Sequence, residues 1–510
     1  MTGRIVPGTE GLPEQVDVLV VGLGVTGAGV ALDAASRGLT VAAVEAHDVA
    51  WGTSRFSSKL VHGGLRYLAK LQLGVAHESA VERGILMEHT APHLTRALPF
   101  LVPLTPAMTR TQEALAVAGV RTGDLLRLGA RTSRETLPRP RRIGVTETLA
   151  LAPAVRRDGL RGGILTWDGQ LEDDARLVLG IARTAASLGA HVHTRARVLS
   201  ATGTSATLRD ELTGDARTVR AGVVVNATGV WADRLAPGIR LKPSRGSHLV
   251  VRQSSLPHVR CGLMAPVPGH GNRYVFTLPQ QDGTVYVGLT DEPVEDVSDV
   301  PTVPQADVDF LLSVVNEALE SRLGADDVVG SYAGLRPLLA AAGATADLSR
   351  RHAVLVSGAG PSKGVVTVVG GKLTTYRRMA EDAVDRAVRV AGLTAGPCRT
   401  RRLPLLGAAP RPELSRLSYP ARLVRRYGTE AALVLANARS ATGLPDASLL
   451  APASDTVPVT LAELIFGVTH EGAVTVDDLL DRRTRVGLVD EDRQAAVPLA
   501  ERALALAGAR

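Results

Sequence analysis

The sequence predicts an α/β protein, α+β overall, in three parts: a domain on a parallel sheet, an inserted antiparallel sheet and a helical C-terminal domain. Three observations predict it. A strand, a glycine turn, a helix and a second strand follow one another from Val16 to Val44. Between Pro237 and Asp347 the pattern changes to short alternating strands. After Gly396 a proline-bearing stretch gives way to Ala/Leu/Arg-rich sequence of helical character. A chain of 510 residues is also too long for one hydrophobic core, which favours two or three domains.

Val16 to Val21 is an apolar run suited to a buried parallel strand. Gly22 to Gly27 breaks it, Ala28 to Ser36 reads as a helix of small residues ended by Gly38, and Thr40 to Val44 is a second strand. At roughly thirty residues the unit has the size of a βαβ crossover. Val75 to His89 and Asp174 to Leu188 have helical patterns. His191 to Leu199 and Thr207 to Thr218 read as strands of a small antiparallel element, and Val223 to Asn226 as a buried strand entering a turn. In the insert, His248 to Val251, Arg273 to Leu278 and Thr284 to Leu289 read as strands, Asp291 to Pro304 as a loop and Ala306 to Glu320 as a helix. Ala353 to Val356 and Gly364 to Val369 are strands again, and Leu373 to Ala391 is a long helix. The expected domains are 15–236 together with 351–395, then 237–350, then 397–510, with 90–150 an additional piece of the insert's cap.

Composition excludes several classes. Hydrophobic residues are 45% and charged residues 21%, ordinary for a soluble globular protein. No stretch reaches the ~18 apolar residues of a membrane span. The first fifteen residues hold Glu10 and Glu14 and no apolar core, so they do not read as a secretion signal. The two cysteines, Cys261 and Cys398, have no metal-ligand spacing, so no metal is expected. A net charge of +7 admits nucleic acid, a membrane surface or an anionic substrate. Aromatics of only 3% and the lack of a recognition motif argue against nucleic acid. Lysines are scarce (Lys59, Lys70, Lys242, Lys363 and Lys372); by itself this reads as chance, with a place that needs an ammonium the alternative.

Gly22, Gly24 and Gly27 lie between the first strand and its helix. Glycines there let the backbone approach a pyrophosphate, which the helix N-terminus stabilises. Glu45 closes the next strand, where a carboxylate accepts from an adenosine ribose. This is a Rossmann-type dinucleotide fingerprint. Val223 to Gly229 is a strand ending in Ala-Thr-Gly, small residues that fit close to a dinucleotide and favour FAD over NAD. From Thr53 through Ser54, Ser58, Lys59, Leu60 and His62 to Arg66 and Tyr67, hydroxyls, a rare lysine and paired glycines interleave with apolar residues. That mixture suits diphosphate and flavin oxygens in a buried site. Tyr332 to Leu338 sets Arg336 in apolar surroundings next to Gly334, with Arg350 shortly after. Gly370-Gly371-Lys372-Leu373 opens the last long helix, whose positive end suits the pyrimidine edge of a flavin.

The runs SSKLVHGGLRYL, DDARLVL, NATGVWAD, RGSHLVV, YAGLRPL and GGKLTTYR resemble the FAD-dependent, aerobic-type glycerol-3-phosphate dehydrogenases, within the D-amino-acid-oxidase-like flavoproteins. The resemblance covers about Asp17 to Arg377 and continues in the tail through His470 to Val474 and Asp481 to Arg485. It implies an FAD-binding Rossmann-type domain, an inserted antiparallel-sheet substrate domain and a C-terminal helical domain. It implies oxidation of sn-glycerol 3-phosphate to dihydroxyacetone phosphate, with hydride to flavin N5 and electrons to a membrane quinone. Two alternatives stay open: an oxidase passing electrons to oxygen, and a related hydroxyacid or amino-acid oxidoreductase.

By position, the resemblance assigns Gly22, Gly24, Gly27 and Glu45 to the ADP half of FAD. Thr53, Ser54, Ser58, Lys59, Leu60, His62, Gly229, Gly334, Gly371, Lys372 and Leu373 line the diphosphate and flavin. Arg66, Tyr67, Arg336, Arg350 and Lys372 form the substrate pocket. The expected catalytic set is His248 as base, Arg336 as its polarising neighbour and Lys372, with a structural role for His248 the alternative. Leu23, Gln280, Leu289 and Arg351 depart from the family pattern and touch details of the pocket. A homodimer in the cytoplasm, attached to the inner face of the membrane, is implied. The segment Thr109 to Ile143, with eight arginines, reads equally as a lipid-facing surface and as a solvated face.

Overall fold

The computed structural model describes residues 3–64, 72–106, 108–269, 273–340, 351–357 and 364–508. In chain order, the elements that position the site begin with β1 (Gln15–Val21), α1 (Val25–Ser36) and β2 (Val41–Val44). Next come β3 (Thr95–Pro103), β4 (Gly163–Leu171), α2 (Asp174–Ser187) and β5 (Ala216–Asn226). They are followed by β6 (Ser244–Arg252), β7 (Thr284–Gly288), β8 (Val328–Arg336), β9 (Val366–Val369) and α3 (Tyr376–Ala391).

The first sheet places β1 between β2 and β5, all parallel, with β9 on the far side of β5. Val18, Leu19 and Val20 of β1 are fully buried because both faces are covered, which is why the strand is a continuous apolar run. α1 is built of small residues because it is pressed between the sheet, α2 and α3. A Cβ on Gly29 would sit 2.9 Å from the Tyr376 ring of α3.

Two sequence expectations are corrected in this sheet. His191 to Leu199 is not one strand. It breaks at Arg195 (φ +56), so that His191–Thr194 joins the parallel side beside β2 while Ala196–Ala201 runs antiparallel beyond β5. Thr207 to Thr218 is likewise two strands. Asp210 accepts from the Leu212 and Thr213 N–H groups at 2.8 and 3.3 Å and pins a turn between Ser205–Asp210 and β5.

The second sheet is not confined to the expected segment 237–350. β3 and β4 pair antiparallel from Thr95↔Leu171 to Pro103↔Gly163, and Arg141–Ile143 and Leu60–Val61 add to β4. β3 then joins Gly262–Pro266 in parallel, continuing into Tyr274–Pro279, β7, β6 and β8. The helix expected to Glu320 ends at Asn316, whose side chain bonds the Leu323 backbone through its amide N–H and its oxygen at 2.9 and 2.8 Å.

The C-terminal helices Ala431–Thr442, Leu461–Thr469 and Asp490–Gly508 enclose a core around Leu464, Ile465 and Phe466. They dock on the first domain through buried ion pairs. Arg482 and Arg483 meet Asp48, Arg426 meets Asp173 at 2.9 Å, and Arg176 meets Glu471. Among the described residues no helix is long and apolar enough to cross a membrane, and no cluster of side chains could hold a metal ion.

Candidate active site

A cavity of about 1750 Å³ runs between the two sheets. That is larger than the ~300–1,000 Å³ of most small-ligand sites and suits an extended dinucleotide. At one place it meets the turn after β1. Gly22 has φ +97, and a Cβ on Gly27 would strike the Gly22 carbonyl, so the third glycine allows α1 to pack directly beneath the turn. Gly24 sits at the helix entrance, where the Val25 N–H donates to the Ser54 hydroxyl at 2.9 Å. The Glu45 carboxylate lines the same cavity and accepts from the Leu23 N–H at 2.8 Å and the His47 N–H at 3.2 Å. Gly229, after β5, lines it too.

The loop from Thr53 to His62 forms part of the wall. The Thr53 hydroxyl donates to the Leu335 carbonyl of β8, and Ser58 and Leu60 face the cavity. Gly334 lets β8 approach this loop, since a Cβ there would lie 2.9 Å from the Phe56 carbonyl oxygen. His62 is held through Nδ1 by the Asp168 carboxylate at 2.9 Å. Asp168 also accepts from the Gly63 N–H and from Arg83 at 2.7 Å. Burial alone would raise this carboxyl, but the Arg83 guanidinium and the His62 ring outweigh it and hold it at about 2. An ionised Asp168 fixes Nδ1 of His62 as a donor.

Lys59 departs from the expected set. Its side chain does not line the cavity. Its residue has φ +54, and its fully buried ammonium donates to the Arg55 carbonyl at 2.7 Å and pairs with Asp174 at 3.1 Å. The neighbouring hydroxyls stay on the cavity while the lysine is turned into the protein.

Arg336, Lys372 and His248 all line the cavity. Arg336, at the end of β8, donates to Ser244 and Asp291, each at 3.1 Å, and to the Thr290 carbonyl at 3.1 Å. An aspartate on the next strand connection therefore balances a guanidinium whose sequence neighbours are apolar. Lys372 donates to the Ser79 hydroxyl at 2.8 Å, and Gly371 and Leu373 flank it on the wall. His248, in β6, is only 1% exposed. Its Nε2 is 2.8 Å from the Ser58 hydroxyl, and its ring stacks on Tyr332 at 4.7 Å. Burial, with Lys59 and Arg336 nearby, pushes the imidazole well below the usual histidine range, so it is neutral. Arg66, Tyr67 and Arg350 lie outside the described residues.

Sequence reasoning missed four side chains that organise this site: Asp168, Asp174, Asp291 and Tyr332. Asp174 and Tyr332 fall inside the DDARLVL and YAGLRPL runs and were within reach. Asp168 and Asp291 carry no local signal.

The parallel sheet with its glycine turn, the second sheet closing over it and the long cavity between them define a dinucleotide-dependent oxidoreductase. Residues 17–377 match the family described as FAD dependent oxidoreductase, and residues 398–509 match the C-terminal domain of alpha-glycerophosphate oxidase. The chain is 52% identical to glycerol-3-phosphate dehydrogenase 1 of Mycobacterium tuberculosis over 95% of its own length and 94% of that protein's. It is 38% identical to glycerol-3-phosphate dehydrogenase 2 of the same organism, over 93% and 82% of the two chains. Its fold matches the FAD-complexed glycerol-3-phosphate dehydrogenase of Bacillus halodurans with a TM-score of 0.71 and 29% identity, covering 98% of this chain and 94% of that one. The chain belongs to the FAD-dependent glycerol-3-phosphate dehydrogenase family. FAD is its cofactor, and the site fits it: the glycine cradle at Gly22 and Gly27 lets backbone approach a diphosphate, and the carboxylate of Glu45 lines the same cavity.

Proposed function

We propose that this protein oxidises the C2 hydroxyl of sn-glycerol 3-phosphate to dihydroxyacetone phosphate and passes the electrons to a membrane quinone. The observation that carries the reading is a single cavity whose lining includes two cations, Arg336 and Lys372, together with the Ser58–His248 pair. A phosphate dianion calls for fixed, water-shielded cations, and a guanidinium held by Asp291 and Ser244 is such a group. Arg66, Tyr67 and Arg350 complete the substrate set by position. Bound FAD supplies the two-electron acceptor for the hydride leaving C2. His248, neutral and bonded to Ser58, takes the hydroxyl proton, and Arg336 polarises the oxygen.

The test is an anaerobic absorbance titration. Stoichiometric sn-glycerol 3-phosphate bleaches the bound flavin, whereas glycerol and lactate leave it yellow. Bleaching by glycerol as readily as by its phosphate would remove the phosphate from the assignment.

A second reading, oxygen as acceptor, is favoured by the C-terminal match to an oxidase domain. Turnover with a soluble quinone under argon, set against oxygen consumption in air, decides between the two. For a homodimer attached to the inner leaflet, helix Arg110–Gly129 is the surface that supports the reading. Its Arg110 and Arg121 are exposed, as are Leu125 and Leu128, at 66% and 47%. Part of the arginine-rich segment is spoken for: Arg127 is buried against Asp124, and Arg141 and Arg142 pair with Glu147 and Glu113. The protein is expected to sediment with anionic vesicles and not with neutral ones, and Leu125→Glu with Leu128→Glu to abolish this. Equal sedimentation of the doubly substituted protein would rule the helix out.

A further inference from the structure

Lys59 is an ammonium buried without contact with the cavity, in a chain that has few lysines. The ring of Tyr332 links it to the base. Lys59 Nζ lies 4.5 Å from the centre of that ring, and the His248 imidazole stacks on the same ring at 4.7 Å, nearly parallel at 9°. The residue before it, Ser58, is the hydrogen-bond partner of His248 Nε2. The Tyr332 hydroxyl donates to the Ser57 carbonyl at 3.0 Å, tying the ring to the same loop. Lysine, tyrosine and histidine thus form one packed unit behind the Ser58 hydroxyl.

We propose that Lys59 is a positioning residue: its buried charge, packed behind the Tyr332 ring on which His248 stacks, favours the uncharged imidazole that receives the substrate's C2 hydroxyl proton. The proposal rests on the reading of His248 as the base. In that step C2 gives a hydride, with its electron pair, to the cofactor. The hydroxyl proton goes to His248 directly or across Ser58, leaving a neutral ketone and a histidinium.

The groups facing His248 are consistent with this. From its own sheet come Tyr332 and Arg336 on β8 and the backbone of Gly288 on β7, and from the loop come Ser58 and Lys59. Tyr286, edge-on to Tyr332 at 5.4 Å, carries Arg485 5.7 Å above its own ring. Asp174 lies behind Lys59, bonded to its ammonium and to the Ser57 N–H at 2.9 Å. The charges that act on the imidazole, those of Lys59 and Arg336, are both positive. At an effective dielectric of about 20, a unit charge some 8–10 Å away alters a protonation equilibrium by roughly fifteen- to thirtyfold, an upper bound that solvent and counter-charges reduce.

The experiment compares wild type, Lys59→Arg, His248→Asn and the double variant Lys59→Gln/Asp174→Asn, which removes both buried charges together. All four are checked first for bound flavin. Anaerobic flavin reduction is followed from pH 4.5 to 9, and histidine 15N spectra of the resting proteins are titrated over the same range. The His248 signal is identified by its loss in His248→Asn. The substrate phosphate also titrates near pH 6, but identically for every variant. The expected result is an acid limb displaced upward by about one pH unit in the double variant, a His248 signal that protonates at correspondingly higher pH, and neither change in Lys59→Arg. A rate lowered evenly at every pH, with the limb and the 15N titration in their wild-type places, would make Lys59 structural and overturn the proposal. If His248→Asn retains wild-type rates and limb, the base assignment fails instead, and the catalytic role of Lys59 falls with it whatever the spectra show.

Discussion

Arg336→Met is expected to lower kcat/KM for sn-glycerol 3-phosphate by roughly a hundred- to a thousandfold while FAD stays bound. This lies within the ~2–5 kcal/mol that follows removal of one partner from a desolvated, hydrogen-bonded charge pair. Three described contacts hold the guanidinium on the cavity wall, to Ser244, Asp291 and the Thr290 carbonyl. Its Cζ end also packs where a Cβ on Gly246 would otherwise be, so β6 and β8 leave room for it. The substitution takes away the cation and leaves Asp291 facing the cavity, where it repels a phosphate. Both changes act in one direction. Glycerol, which has no phosphate, is the control, and its slow reduction of the flavin should change far less than that of the phosphate ester. A loss shared equally by glycerol and its phosphate would assign Arg336 to the fold of the wall and not to recognition. Arg336→Lys should recover only part of the loss, because an ammonium cannot reproduce a fork held on three acceptors.

His248→Asn is the second large effect. Removal of a general base typically lowers the rate by about 10²–10⁴-fold, and the decline should fall on the flavin-reduction step with little change in substrate binding. The asparagine keeps a polar group beside the Ser58 hydroxyl and removes the basic nitrogen. The sign of the pH dependence follows from the site. Burial, reinforced by Lys59 and Arg336, holds the imidazole well below the usual histidine range. The imidazole is therefore unprotonated at neutral pH, and the flavin-reduction rate at saturating substrate should show no loss of base form as pH is lowered through the ordinary histidine value of about 6.5, apart from the titration of the substrate phosphate itself. An imidazole at an unshifted value would instead lose most of its base form there. Reduction rates within threefold of wild type in His248→Asn would pass the base role to His62, whose ring Asp168 already orients.

Much of the cofactor half was legible in the sequence. β1, the glycine turn, α1 and β2 occur where periodicity and turn chemistry put them, because strand and helix periods and the glycine requirement of a tight turn are properties of neighbouring residues. Glu45 was found for the same reason: it closes a strand whose start and end are locally marked. The serine-rich loop and the Gly370–Leu373 turn were legible as polar groups set among apolar ones. The second sheet was only partly so. β3 fell in the 90–150 piece expected to belong to the insert's cap, whereas β4 was read into the first domain, since nothing in its own sequence says which of two sheets it will join.

Tertiary structure alone decided the direction of Lys59 and the partners of the site's charges. Ser58 and His248 are 190 residues apart in the chain, His62 and Asp168 are 106 apart, and Arg336 and Asp291 are 45 apart. A linear pattern reports which residues share a face of one element. It does not report which charges are brought together out of water, and that is what sets their strength and their protonation. By itself, then, the sequence determined the dinucleotide-binding scaffold and the inventory of cations and hydroxyls offered to the cavity. Packing of the second sheet against the first decided which of these groups face it, why one lysine was withdrawn to stand behind Tyr332, and why the histidine there is uncharged.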